Sequence, residues 1–141
     1  MNRNEALTYV YNKYLMDVSM AFCGETTRHD NWKCGRFVVT LTHRHTRKSM
    51  QLDYYLGEGH KLHKDSTQYK RPHILDVLSS IYLDNPRDMS FEEWCSEYGF
   101  DDDSRRAERT YNECLKQAKE FNSVFPDALE QMAEDENVTE R

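Results

Sequence analysis

Apolar and polar residues alternate with two different periods along the chain. In residues 4–15 the apolar positions recur every three or four residues, which predicts an amphipathic N-terminal helix. In residues 18–22, 37–42 and 50–56 they recur every second residue, as in strands that bury one face. The polar segment 24–31 predicts the turn between the first two strands, so the middle of the chain is predicted to form a three-stranded antiparallel meander.

The second half of the chain returns to helical spacing and contains local signals for the helix ends. Pro72 is predicted to open the first of these helices, since its missing N–H costs nothing there, and Asn85-Pro86 ends it. Ser90 and Glu93 have the S-x-x-E form of a capping box, which begins a second, short helix. Gly99 is predicted to end that helix in a left-handed C-cap.

A third and longer helix is predicted from about residue 104 to residue 122, before the break at Pro126. Its apolar face is expected to pack on the inner face of the sheet. The predicted contact joins Tyr111, Leu115, Ala118 and Phe121 of the helix to Phe37, Val39, Leu41, Leu52 and Tyr54 of the sheet. If Leu115 is fully buried there, its replacement by Ala is expected to cost about 2–5 kcal/mol.

Together these elements predict an α+β fold, with an N-terminal helix, a three-stranded antiparallel sheet and three C-terminal helices packed on one sheet face. Residues 1–125 are expected to form a single domain, and residues 126–141 an acidic tail that is partly helical or frayed. The 141-residue chain is 38% hydrophobic and 31% charged, which predicts a thin core in which aromatic rings supply much of the buried area. No apolar run is long enough to span a membrane, so we expect a cytoplasmic protein with reduced cysteines.

The two halves of the chain differ in charge. Residues 1–72 contain 12 Lys and Arg against 7 Asp and Glu, whereas residues 73–141 contain 7 against 18. The simplest interpretation is two solvated faces of opposite sign. The alternative is a bipolar surface, one pole of which docks on a charged partner.

Histidines and cysteines cluster between residues 23 and 73, which raises the question of a metal site. The close pairs are Cys23 with Cys34, His43 with His45, and His60 with His63. Structural zinc sites usually contain a C-x2-4-C or H-x3-5-H pair, and none of these pairs has that spacing. Cys23 and Cys34 flank the first predicted hairpin and could lie side by side, but packed or solvated side chains are preferred here to a zinc site. No metal and no cofactor is predicted.

The pattern of nucleophiles and acids also favours a protein that is not an enzyme. Cys95 and Cys114 lie on acidic helices, which raise a thiol pKa, so both are predicted to be small core residues rather than nucleophiles. Asp101–Asp103 precede the long helix, whose dipole favours negative charge, and they lack the alternating ligands of a calcium loop. No phosphate-binding loop or dinucleotide fingerprint is present in the sequence, and no catalytic residue is predicted.

Two surfaces are candidates for binding a partner. The first is basic and combines the tip of the second hairpin with the loop that follows the third strand. Its predicted contact residues are Arg44, Arg47, Lys48, Lys61, Tyr69, Lys70 and Arg71. Such residues suit phosphate contacts and base stacking, although the net charge of −6 repels a polyanion at long range.

The second candidate surface is acidic and lies on the short helix and the turn that follows it. Its predicted contact residues are Glu92, Glu93, Glu97, Asp101, Asp102 and Asp103. A surface of this kind could occupy a basic groove made for nucleic acid. The alternative is an ordinary acidic helical surface, neutralised by neighbours such as Arg105–Glu108 and Arg109–Glu113 at three- and four-residue spacing. Between the two surfaces we predict the basic one, because loops with Arg and Tyr tend to dominate binding.

Several blocks of the sequence are similar to one group of proteins. The blocks are residues 37–42, 52–60, 76–78 and 91–114, with Phe91-Glu92-Glu93-Trp94-Cys95 and Asp103-Ser104-Arg105 the most specific parts. In these blocks the chain resembles small proteins of tailed phages and prophages. The resemblance implies a phage-encoded accessory protein without enzymatic activity, acting in the cytoplasm of the bacterial host. Proteins of this size and origin include anti-CRISPR and other inhibitors that bind a host protein or ribonucleoprotein defence complex. The alternative is a nucleic-acid-binding accessory protein.

Overall fold

The computed structural model describes residues 2–14, 17–28, 31–57 and 70–139, with only the backbone for residues 134–139. The helices are α1 (Arg3–Tyr14), α2 (Ile74–Asp84), α3 (Phe91–Tyr98), α4 (Arg105–Val124) and α5 (Ala128–Thr139). The strands are β1 (Asp17–Arg28), β2 (Trp32–Thr42) and β3 (Ser49–Leu56). The predicted α+β class, with an N-terminal helix, three strands and C-terminal helices, is confirmed.

The three strands form one antiparallel sheet in the order β1-β2-β3, as predicted. β1 is longer than expected, because its pairing with β2 resumes beyond an irregularity between Phe22 and Glu25. Gly24 lies within this irregularity, with a φ of 107° that a residue with a Cβ rarely adopts. The prediction of a turn at 24–31 was therefore wrong for residues 24–28, where Thr26 and Thr27 pair with β2 despite their polar neighbours.

The inner face of the sheet forms the base of the main core. Phe37, Val39 and Leu41 of β2 are completely buried, beneath side chains that include Val10 of α1 and Ile81 of α2. Val18, Met20 and Phe22 of β1 are only partly buried, so the helices cover β2 more fully than β1. On the outer face, polar side chains bond to one another. Arg36 forms an ion pair of 2.9 Å with Asp53, and Gln51 donates to the Thr40 hydroxyl at 3.2 Å.

Local signals place most of the helix ends. The Ser90 hydroxyl accepts a hydrogen bond from the backbone N–H of Glu93 at 3.2 Å, and Gly99 has the left-handed φ of 73° predicted for the C-cap. Pro72 does not open α2, contrary to prediction. His73 is the N-cap of α2, and its Nδ1 accepts from the N–H of Leu75 at 3.1 Å. The imidazole nitrogen accepts the N-cap hydrogen bond that is usually accepted by a Ser or Asp oxygen.

The predicted contact face of α4 was wrong at two positions. Leu115 is 38% exposed, because it lies at one side of the buried stripe of α4, about 60° around the helix from Ala118 and about 120° from Phe121. Tyr111 contacts a second cluster around Trp94 of α3 instead of the sheet. Ala118 and Phe121 are buried as predicted, and Phe121 belongs to the main core.

The segment after Phe125 joins the domain rather than forming only a tail. Asp127 adopts a φ of 70°, which turns the chain so that α5 follows directly, and the Tyr14 hydroxyl donates to the carbonyl of Pro126. Ala128 and Met132 are buried in the main core, and α5 packs against α1. The first turns of the segment 126–141 thus supply core side chains to the domain.

Candidate binding surfaces

The predicted basic hairpin tip is the β2–β3 turn, and His43 organises it. The backbone N–H of His43 donates to the carbonyl of Lys48 at 2.9 Å, and Arg47 closes the turn by donating back to the His43 carbonyl. The His43 Nδ1 atom accepts from the N–H groups of His45 and Thr46 at 3.1 and 3.3 Å. The His43 ring also stacks on Phe125, with 5.8 Å between the ring centroids, so the base of the hairpin is held against the end of α4.

The basic side chains of this tip point into solvent. Arg44, Arg47 and Lys48 are all exposed. Arg47 forms an ion pair of 3.2 Å with Asp17, whereas Arg44 and Lys48 have no ion-pair partner in the described ranges. Lys70 and Arg71 are also exposed and precede α2. The predicted contact residues Lys61 and Tyr69, like His60 and His63, lie outside the described residues.

The six acidic residues are all exposed and lie on two consecutive segments of the chain; together they are called the acidic surface. Its members are Glu92, Glu93 and Glu97 on α3, with Asp101, Asp102 and Asp103 in the turn before α4. The carboxylates of the three aspartates lie within 4.8 Å of one another. Two members also form local hydrogen bonds. The Asp101 carboxylate accepts from the backbone N–H of Asp103 at 3.1 Å, and the Glu93 carboxylate accepts from the Ser90 hydroxyl at 3.3 Å.

Three of the six acidic residues affect the pKa of the buried Cys95. Burial raises the pKa of this thiol, and the negative charges of Asp102, Glu92 and Asp101 raise it further. Charges from both α3 and the following turn therefore meet at one point. No ion pair within 4 Å neutralises any of the six carboxylates in the described part of the chain. The neighbouring pairs expected on α4, such as Arg105 with Glu108, do not form within that distance either.

The acidic surface rests on a rigid support. Trp94 of α3 is buried and stacks on Phe100 with 4.8 Å between ring centroids and 12° between the ring planes. The Tyr111 hydroxyl of α4 donates to the carbonyl of Met89 at 2.6 Å, which ties the start of α3 to α4. Aromatic packing therefore fixes the positions from which the carboxylates project.

A third feature, which the sequence did not indicate, is a groove of about 710 Å³ beside β3. Its first wall is the edge of β3 from Met50 to Tyr55, and its second consists of side chains from α2 and α4, among them Asp84, Glu113 and Cys114. Arg28 also lines the groove, and its guanidinium carbon lies 3.9 Å from the ring centroid of Tyr55. Sequence periodicity cannot reveal this groove, because it depends on which strand lies at the sheet edge and where α4 crosses it.

The groove does not have the electrostatics of a nucleophilic site. Burial, with the negative charges of Asp84 and Glu113, raises the pKa of the Cys114 thiol to about 11. The thiol is therefore protonated at neutral pH, as predicted for a cysteine on an acidic helix. Burial similarly raises the pKa of Tyr54, with contributions from Asp76 and Asp84. The arrangement favours binding by hydrogen bonds and charge over covalent chemistry.

The candidate zinc ligands do not come together in the described residues. Cys34 is buried opposite Thr26 and donates to its carbonyl at 3.8 Å, whereas Cys23 is exposed, so the predicted side-by-side placement of the two cysteines was wrong. Asp101–Asp103 are the only group of three or more acidic, His or Cys side chains in the described ranges with ligand atoms this close. All three are exposed, and exposed carboxylates of this kind are common without an ion.

Comparisons of the chain with protein-family models, with curated proteins and with solved structures give no match. Within the described residues, every helix is too short or too polar to cross a lipid bilayer.

Proposed function

We propose that this chain is a non-enzymatic accessory protein that binds a host protein or ribonucleoprotein and inhibits a defence complex in the bacterial cytoplasm. The phage resemblance supports the biological setting, and the acidic surface supports the mode of action. The observation that carries the proposal is the set of six exposed carboxylates that no cation neutralises within 4 Å in the described part of the chain.

A surface of this kind suits one class of target. Grooves that hold a nucleic-acid backbone are rich in Lys and Arg. Carboxylates held on a rigid helix can pair with the same side chains and exclude the nucleic acid. Unpaired carboxylates also attract such a groove at long range, which raises the association rate at low salt. This reasoning favours the acidic surface over the basic hairpin tip, where Arg47 is already paired with Asp17.

Nucleic-acid binding by the hairpin tip is the second candidate function. It is favoured by Arg44 and Lys48, which are exposed and have no ion-pair partner in the described ranges. Lys70 and Arg71 add two exposed cations before α2. In this case the contacts would go mainly to phosphates, and affinity would fall steeply with salt.

Charge reversal at each surface separates the two functions. The acidic variant is Glu97→Lys with Asp102→Lys, and the basic variant is Arg44→Glu with Lys48→Glu. In the described part of the chain, none of these four side chains forms an ion pair or a hydrogen bond to the backbone. The immobilised chain is incubated with lysate of the host, with and without nuclease. We expect capture of a protein complex that survives nuclease and is lost only in the acidic variant. Capture that requires intact nucleic acid and is lost only in the basic variant would contradict the proposal.

A further inference from the structure

Within the described residues, the backbone groups on the outer edge of β3 have no hydrogen-bond partner. β3 pairs with β2 along its whole length, from Ser49 to Leu56, and it is the last strand of the sheet. No backbone hydrogen bond joins its other side to any residue in the described ranges. Alternate N–H and C=O groups of β3 therefore face the groove, in the arrangement that pairs with another extended chain.

The groove has the dimensions for one added strand. Six successive residues of β3, from Met50 to Tyr55, line it, and a strand of that length spans about 20 Å. The opposite wall, on α2 and α4, would lie above the added strand as these helices lie above the rest of the sheet.

The helical wall of the groove is acidic. It contains Asp84, Glu113 and Glu120 against the single cation Lys116. The charges at the strand side are already engaged, since Asp53 pairs with Arg36 and Arg28 covers Tyr55. An occupant with positive side chains is therefore favoured over a neutral or acidic one.

Asp84 is the best placed of these carboxylates. It is open to solvent from the groove, yet the walls remove enough water to raise the pKa of its carboxyl. Its hydrogen-bond partner in the described ranges is the Ser80 hydroxyl at 3.4 Å, and no cation lies within 4 Å. Tyr54 of β3 and Cys114 of α4 line the groove together with Asp84, and the charge of Asp84 contributes to the raised pKa of both.

From this geometry we propose that the β3 edge binds an extended polypeptide segment containing Lys or Arg, which joins the sheet as a fourth strand and pairs one inward cation with Asp84. The backbone edge supplies affinity for any extended chain, and the acidic wall selects the positive one. This site is separate from the acidic surface on α3, so its failure would leave the proposed inhibitor function standing.

A short synthetic peptide tests the proposal directly. The probe is a fluorescein-labelled octapeptide of alternating Thr and Lys, whose lysines share one face when it is extended. Binding is followed by fluorescence anisotropy and compared with a Thr-Glu octapeptide. The Asp84→Asn variant should weaken binding of the Thr-Lys probe about tenfold, because it removes one charge-assisted contact. The matched control Asp88→Asn removes an exposed carboxylate outside both the groove and the acidic surface, and it should leave the affinity unchanged.

Backbone pairing is tested by N-methylation of the probe. Two versions, methylated at the odd or the even residues, place the methyl groups on opposite edges of the extended peptide. We expect one version to bind at least tenfold more weakly than the other, with probe-induced slowing of amide hydrogen exchange in β3. Equal binding of both versions, or binding that Asp84→Asn leaves unchanged, would overturn the proposal. So would tighter binding of single-stranded DNA at β3, or a dimer in which two copies of β3 pair with each other.

Discussion

His43 shows how much one polar side chain can organise. Its Nδ1 accepts two backbone N–H groups of the hairpin turn, while its ring contacts Phe125 by stacking and Tyr14 edge-on. The turn, the end of α4 and the end of α1 therefore meet at one imidazole. His43, which is a candidate metal ligand in the sequence, therefore uses its Nδ1 atom and its ring to stabilise the fold.

The exposure of Leu115 leads to a prediction about two residues of the same helix. Phe121 is completely buried in the main core, so Phe121→Ala should lower the free energy of unfolding by about 3–5 kcal/mol. Leu115 is 38% exposed, so Leu115→Ala should cost about 1 kcal/mol or less. Urea unfolding followed by circular dichroism measures both. Equal losses for the two variants would mean that α4 packs with a different face.

The raised pKa of Asp84 predicts a pH-dependent change in stability. Desolvation raises this pKa above 3.8, so the folded state holds the proton more tightly than the unfolded chain does. The stability that results is fully present below the ordinary carboxyl pKa and is lost as the pH rises through the folded value. Asp84→Asn, which cannot ionise, should therefore be more stable than the parent at pH 7. The difference should vanish below about pH 3.

Chemical unfolding at pH 3 and pH 7 measures this effect. Asp88→Asn, at an exposed position outside the groove, is again the matched control and should change the stability by about 0.5 kcal/mol or less. A parent chain that is more stable than Asp84→Asn at pH 7 would show that the carboxylate is favourably solvated in the fold. A carboxylate retained at a cost to stability is typical of a functional site.

At the scale of helices and strands, the signals that succeeded are those contained within a few residues. Ser90 and Gly99 cap α3 as predicted, because the cap needs only its own side chain or its own backbone freedom. The extension of β1 to Arg28 was missed, since Thr26 and Thr27 become strand only through their partners in β2. The same distinction applies to the candidate surfaces. The exposure of the charged residues could be predicted from their residue type, whereas the groove beside β3 could not, because it depends on tertiary contacts.

The left-handed C-cap of α3 offers a test of one local signal. Gly99 has a φ of 73° and nothing within 4 Å of the position where a Cβ would lie. Gly99→Ala should therefore cost about 1–2 kcal/mol through backbone strain alone, with no steric clash. Gly99→Asn should cost less, since Asn tolerates this conformation. Amide hydrogen exchange in α3 measures the opening free energy, and equal effects of Ala and Asn would argue against strain as the cause.

At the scale of the whole molecule, two hydrophobic clusters stabilise different parts of the fold. The main core joins the sheet to α1, α2, α5 and the second half of α4. The smaller cluster, around Trp94, Cys95 and Ala107, joins α3 to the first half of α4. The acidic surface lies over the smaller cluster, so the larger core can hold the fold while α3 presents its charges.

The inclusion of α5 in the main core predicts that the C-terminal segment is needed for stability. Met132 is 2% exposed, so Met132→Ala should lower the free energy of unfolding by about 2–5 kcal/mol. Glu130→Ala, an exposed position on the same helix, is the control and should change it by about 0.5 kcal/mol or less. Denaturant unfolding of both variants provides the measurement. If Met132→Ala is as stable as Glu130→Ala, residues 126–141 do not stabilise the domain and are better described as a tail.

The packing of α1 against α5 has a consequence for how the protein is made. α1 ends at Tyr14 and α5 begins at Ala128, so the contact between them joins the two ends of the sequence. Contacts of such long sequence separation form late, because nearly all of the intervening chain must be ordered before they close. During synthesis, α5 therefore cannot cover Leu7 and Val10 until it has left the ribosome. A nascent chain halted before α5 should be a substrate for chaperones, and the native core should close only after α5 has left the ribosome.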